Sequence, residues 1–180
     1  MKGTIAIVFV ILAISVSAFA QQAEIDKALL AAPANMKDAT TVIHWKSDFT
    51  YDTLKKGTNR LVCYDRSGMP THQPFDLECT SVANLDRVAQ TLKLEAVADK
   101  DARQKAFEAA EKAGGWKAPE FGSVWFHFFG ADQEHARRHV TIAVPGATNK
   151  TMGLPEDNKQ GGVWIMNAGS TAAHLMTPGT

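Results

Sequence analysis

Six histidines are the feature of this 180-residue chain that most suggests chemistry: His44, His72, His127, His135, His139 and His174. Neutral imidazole is the commonest protein ligand for Zn and also suits Cu. Three imidazoles around an ion, with one position left open, make a catalytic-type site. His44, His127, His139 and His174 fall in segments that read as strands, and strands far apart in sequence meet on one sheet face. His127 and His139 stand 12 residues apart on consecutive strands, which makes them potential neighbours. His127, His139 and His174 are therefore the candidate metal ligands, for Zn or Cu. A plainer reading competes with this. His127 lies between Trp125 and Phe129 on an apolar face, the usual setting of a hydrogen-bonded core histidine. His72 sits in a polar loop and reads as solvated. His135 and His139 have i, i+4 spacing, but Ala136 stands where a zinc-protease helix carries Glu. Arg137 and Arg138 repel a cation there, and His139 begins a strand.

Other catalytic patterns are missing. The chain has no Gly-x-Ser-x-Gly elbow and no Ser-x-x-Lys. Ser170 precedes His174 by four residues, but in a turn and strand that match no known catalytic arrangement. Phosphate-cradling glycine loops are absent, as is the Cys-x-x-Cys-His attachment of a c-type haem. Nineteen basic residues balance nineteen acidic ones, so no net charge attracts nucleic acid or an anionic membrane. Trp45, Trp125 and Trp164 lie in expected strands, where large aromatics fill cores. Trp116 follows a glycine pair and is the tryptophan expected to be exposed. Asn149-Lys150-Thr151 is a glycosylation sequon, meaningful only in a host that modifies it.

The first twenty residues read as a cleaved signal peptide, leaving 21–180 as a single domain. Lys2 precedes the apolar run Ile5–Val16, and Ala18-Phe19-Ala20 offers small residues at the two positions a signal peptidase reads. A membrane-spanning helix needs roughly 20 apolar residues, and this run is shorter and broken by Ser15. No cysteine follows Ala20 to carry a lipid. The expected product is secreted or periplasmic, with no membrane span after cleavage. In such an oxidising compartment, Cys63 and Cys79 are most simply one disulfide. It closes a loop of roughly 16 residues, worth about 3 kcal/mol in the chain-entropy model. No Cys-x-x-Cys spacing supports a redox pair or a metal site.

Glu24–Ala32 places Ile25, Ala28, Leu29 and Ala32 on one helical face, and Pro33 stops it. Thr41–Lys46 and Arg60–Asp65 read as strands on either side of the turn Lys55–Asn59. Ser67–Glu78, with Gly68, Pro70 and Pro74, reads as an irregular loop whose ends the disulfide fastens. Val82–Ala113 is the strongest helical signal. Val82, Leu85, Ala89, Leu92 and Ala96 form one stripe, Ser81 is an N-cap and Gly114-Gly115 a C-cap. The stripe loses phase near Asp99-Lys100, which leaves open one kinked helix or two. Ser123–Phe129 is apolar on both sides, as in a covered central strand. Val140, Ile142 and Val144 alternate with His139, Thr141 and Ala143. Val163–Asn167 and Ala172–Met176 read as a β-hairpin.

Three segments resemble a family of exported bacterial proteins with no assigned function. They are Lys56-Gly57-Thr58-Asn59 leading into the strand of Cys63, the strand His139–Pro145, and Gly161-Gly162-Val163-Trp164-Ile165-Met166 with Ala173-His174-Leu175-Met176. The resemblance implies export and one compact domain. It brings no activity, cofactor or catalytic residue, and the helix from Val82 is not a feature of that family.

The fold class expected is α+β, with a mainly antiparallel sheet of about five or six strands and the long helix packed on one side. The function expected is non-catalytic: an exported domain binding a small ligand or an envelope partner. The alternative is a metal-binding protein or metal-dependent enzyme using the strand histidines.

Overall fold

A computed structural model describes residues 19–177. The expected leader therefore lies almost wholly outside the described residues. Helix α1 is described over 19–28. The strands are β1 (Thr41–Trp45), β2 (Tyr51–Lys55), β3 (Leu61–Asp65), β4 (Phe75–Ser81), β5 (Val124–Gly130), β6 (Arg137–Ala143), β7 (Trp164–Met166) and β8 (His174–Met176). They form one eight-stranded sheet in the order β2-β1-β3-β4-β5-β6-β8-β7. Every neighbouring pair is antiparallel except β1 and β3. Helices α2 (Leu85–Glu95), α3 (Lys100–Lys112) and the short α4 (Asn149–Met152) complete the framework. No helix of the described residues is long and apolar enough to cross a membrane.

The strand alternation builds two cores. Val42, Leu61, Cys63, Phe75, Leu77 and Cys79 face α1 and pack with Ile25 and Ala28. Ile43, Trp45, Val62 and Tyr64 point the other way, onto Val88 and Leu92 of α2. The sheet thus carries helices on both faces, where the sequence predicts one helix on one face.

Three expectations are corrected. The sheet has eight strands: β2 lies where the sequence suggests no element, and β4 begins inside the stretch expected to be loop. β2 is a mostly exposed edge strand with no apolar alternation to betray it. β4 follows the Gly68-Pro70-Pro74 stretch, and all seven of its residues are buried. The disulfide therefore bridges adjacent strands, with Cys63 directly opposite Cys79, rather than fastening the ends of a loop. The single long helix is two. Asp99 adopts extended backbone and its carboxylate accepts from the Ala102 N–H at 2.7 Å. An acidic N-cap is worth more there than an Asp inside a helix. Ser81 acts as the expected cap, but of a 3-10 turn, Val82–Asn84, that precedes α2.

The turn before β3 depends on Gly57. A Cβ there would lie 2.2 Å from the Ala39 carbonyl oxygen and 2.4 Å from the Thr41 nitrogen. Both obstacles are backbone, so neither can swing aside. Gly57→Ala is expected to cost about 2 kcal/mol through overpacking. Urea unfolding checks this, and an unchanged midpoint would show that the turn relaxes freely.

Candidate functional site

A cavity of about 590 Å³ lies between α2, the region around α3, and the sheet face formed by β4, β5, β6 and β8. Register explains which side chains enter it. Phe75, Leu77 and Cys79 face α1, so Asp76 and Glu78 must face the cavity. Tyr64, Glu78, His127 and His139 then stand opposite one another in a single row across β3, β4, β5 and β6. Trp125 and Phe129 flank His127 on the same face. His174 of β8 stands opposite Ala143 and joins this face from the far side of β6.

The row is an electrostatic network. The Glu78 side chain is only 3% exposed. Its carboxylate lies 2.8 Å from Arg66 Nη1 and 3.1 Å from His127 Nδ1, and it accepts the Tyr64 hydroxyl. Burial disfavours its charge, but Arg66, His127 and Tyr64 outweigh burial and hold the carboxyl down to about 2. Arg66 also donates to Asp76 Oδ1 at 3.0 Å. His72 bridges Asp76 Oδ2 at 3.1 Å and Glu95 Oε2 at 2.9 Å. Burial opposes the charged form of His72; hydrogen bonds to the two carboxylates more than offset it and raise its pKa. The expectation of a solvated His72 is thus wrong: its side chain is buried between two acids.

The three candidate histidines share the cavity wall but differ in surroundings. His127 faces Glu78 through Nδ1. Its ring centroid lies 6.0 Å from that of His139. His139 Nε2 is buried with no hydrogen-bond partner. Burial, then His127 and His174, push the His139 pKa down. His174 Nδ1 lies 2.8 Å from the Ala172 carbonyl, so Nδ1 carries the hydrogen. Its pKa is also lowered, first by burial. Among the described residues, no group of three or more His, Cys, Asp or Glu side chains is gathered tightly enough to hold a metal ion. His44 and His135 lie elsewhere, paired with Glu24 and Asp132.

The cavity also contains charged residues that the histidine pattern did not point to: Arg66, Asp76, Glu78, Arg87 and Glu95. The alternation Phe75-Asp76-Leu77-Glu78-Cys79-Thr80 was the available signal for the strand acids. On α2, Arg87, Thr91 and Glu95 recur at helical spacing beside Val88 and Leu92, so the inward face is half polar. Trp116, expected to be exposed, instead lies edge-on to Phe107 at 5.0 Å between ring centroids.

A predominantly antiparallel sheet, with helices on both faces and a cavity of mixed aromatic and charged lining, is thus the class of structure this chain forms. No protein family, curated protein or solved structure matches it.

Proposed function

We propose that this protein binds a small organic molecule in the cavity and does so without turning it over. The observation that carries the reading is the cavity itself. About 590 Å³ is the size of a small-molecule site. Trp116, Trp125, Phe107 and Phe129 supply apolar contact, and the unpartnered His139 Nε2 offers one polar anchor. The acid–base groups nearby are committed to one another: Glu78 to Arg66, Tyr64 and His127, and Asp76 to Arg66 and His72. That commitment favours binding over proton-transfer chemistry. Export belongs to the same reading. The Cys63–Cys79 bridge suits an oxidising compartment, as does the signal-like stretch over 1–20, and both support action in the periplasm or outside the cell. A second reading, Zn or Cu held by His127, His139 and His174, draws support from their shared wall. Near-stoichiometric metal in the purified protein would favour it.

Nile red, a neutral dye that brightens in apolar surroundings, is the test. It is expected to bind at about one dye per protein. Ala172 lines the cavity, and Ala172→Trp should weaken dye binding by about tenfold, equivalent to about 1.4 kcal/mol. Absence of dye binding, or equal binding by the variant, would sink the proposal.

A further inference from the structure

Taking the cavity as a ligand site, we infer that its ligand is an organic anion, an apolar body bearing a carboxylate or similar group that docks on Arg87. Five lining residues are formally charged at neutral pH: Arg66, Asp76, Glu78, Arg87 and Glu95. Four are paired. Arg66 contacts Asp76 and Glu78, and Glu95 contacts His72. Arg87 alone forms no ion pair with any described residue, although it is only 7% exposed.

A buried guanidinium with no carboxylate in direct contact is costly. What holds Arg87 is neutral: the Lys117 carbonyl accepts from Nη1 at 2.6 Å, and Thr171 Oγ1 accepts more weakly from the same atom at 3.4 Å. The guanidinium carbon Cζ lies over the Trp116 ring, 3.9 Å from its centroid. The acid whose charge it feels is Glu111, which forms no ion pair with it and instead accepts the Thr171 N–H and the Thr171 hydroxyl. Burial lowers the Arg87 pKa to about 10, so it stays charged at neutral pH. Among the described residues, only Nη1 of its donor atoms has an acceptor. The remaining N–H groups suit a carboxylate, which accepts two at once. The aromatic side chains nearby, Trp116, Phe107 and Trp125, would cover the apolar body of the same ligand. The placement is polar at one end: Glu95 sits two turns along α2 from Arg87, about 12 Å away by helical rise, and is already held by His72.

The test compares 2-naphthoate with its uncharged isostere 2-naphthamide, each displacing Nile red at pH 7.5. Wild-type protein is expected to bind naphthoate about 10- to 100-fold more tightly, the range of one charge-assisted hydrogen-bonded contact. Arg87→Gln should abolish that preference, so that the variant binds naphthoate no more tightly than naphthamide. Arg87→Lys, which keeps the charge but not the fork, should retain only part of it. Equal affinities for the two probes in wild-type protein would overturn the inference and leave the cavity reading standing. An unchanged preference in Arg87→Gln would also overturn it. Dye binding with displacement by neither probe would overturn the anion assignment alone; loss of dye binding would overturn both. If the Gln variant fails to fold, Arg87→Lys decides: a naphthoate preference equal to that of wild type would overturn the assignment to Arg87.

Discussion

Replacing Glu78 with Ala is expected to lower stability by about 3–5 kcal/mol, the cost of stranding a buried charge. Arg66 would keep only Asp76 as a close acid, Tyr64 would lose its acceptor, and His127 its neighbouring carboxylate. Glu78→Gln should cost less, because an amide oxygen still accepts the Tyr64 hydroxyl. The same residue sets an acid limit. Its carboxyl is held at about 2, below its ordinary 4.5. A depressed acid stabilises the fold above its unfolded pKa, and that contribution disappears as pH falls through the folded value. Wild-type stability should therefore decline between about pH 4.5 and pH 2 by about 3 kcal/mol from this group. Asp76, lowered in the same direction, adds to the decline. Urea titrations at stepped pH check both points. A Glu78→Ala protein as stable as wild type at pH 7, or equally steep between pH 4.5 and 2, would show that the network contributes nothing.

Removing the disulfide is the second large effect. Cys63→Ala/Cys79→Ala should lose about 3 kcal/mol, the chain entropy of a loop with sequence separation 16. Both sulfurs are fully buried on the α1 side. The position matters as much as the loop length. Cys79 follows Glu78 on β4 and faces the opposite way, so the bond pins the register that sets Glu78 opposite Tyr64 and His127. A slip of one residue would turn Glu78 into the apolar core and Leu77 into the cavity. The urea midpoint with and without reductant measures the loss. Identical midpoints would mean that the ladder alone sets stability.

These two residues also mark where sequence reading succeeds and where it stops. The Cys63–Cys79 pairing follows from counting cysteines in a chain expected to be exported. The neighbouring of His127 and His139 follows from two consecutive strands of clear alternation, and the final hairpin from its short length. Glu78 was hidden because Gly68, Pro70 and Pro74 break the pattern just before it, and turn signals outweighed the alternation that begins at Phe75. β2 was hidden because an edge strand exposed to water has no need to alternate. The break at Asp99 was visible as a loss of phase but became a new helix start only through its capping bond to Ala102. Arg87 could not be recognised as unpaired from the sequence, since acids lie close to it along the chain and only the fold keeps them away. The reading of Trp116 as exposed failed for a related reason: the residue that covers it is that same Arg87, 29 positions earlier.

The strand order β6-β8-β7 has a consequence in time. Within the sheet β7 pairs only with β8, so residues 164–176 form a local hairpin. Such a unit forms in about 1–10 μs. Its ladder to the rest of the sheet is three residue pairs on β6, bridging a much longer stretch of chain. Longer closures cost more entropy and come later. The wall that carries His174 therefore docks on β6 as a preformed piece, after its own hairpin has closed. What fastens it there is packing as much as the ladder: Ile165 and Ala173 bury against Val144 and Ala147, so the last wall of the cavity brings a small core of its own.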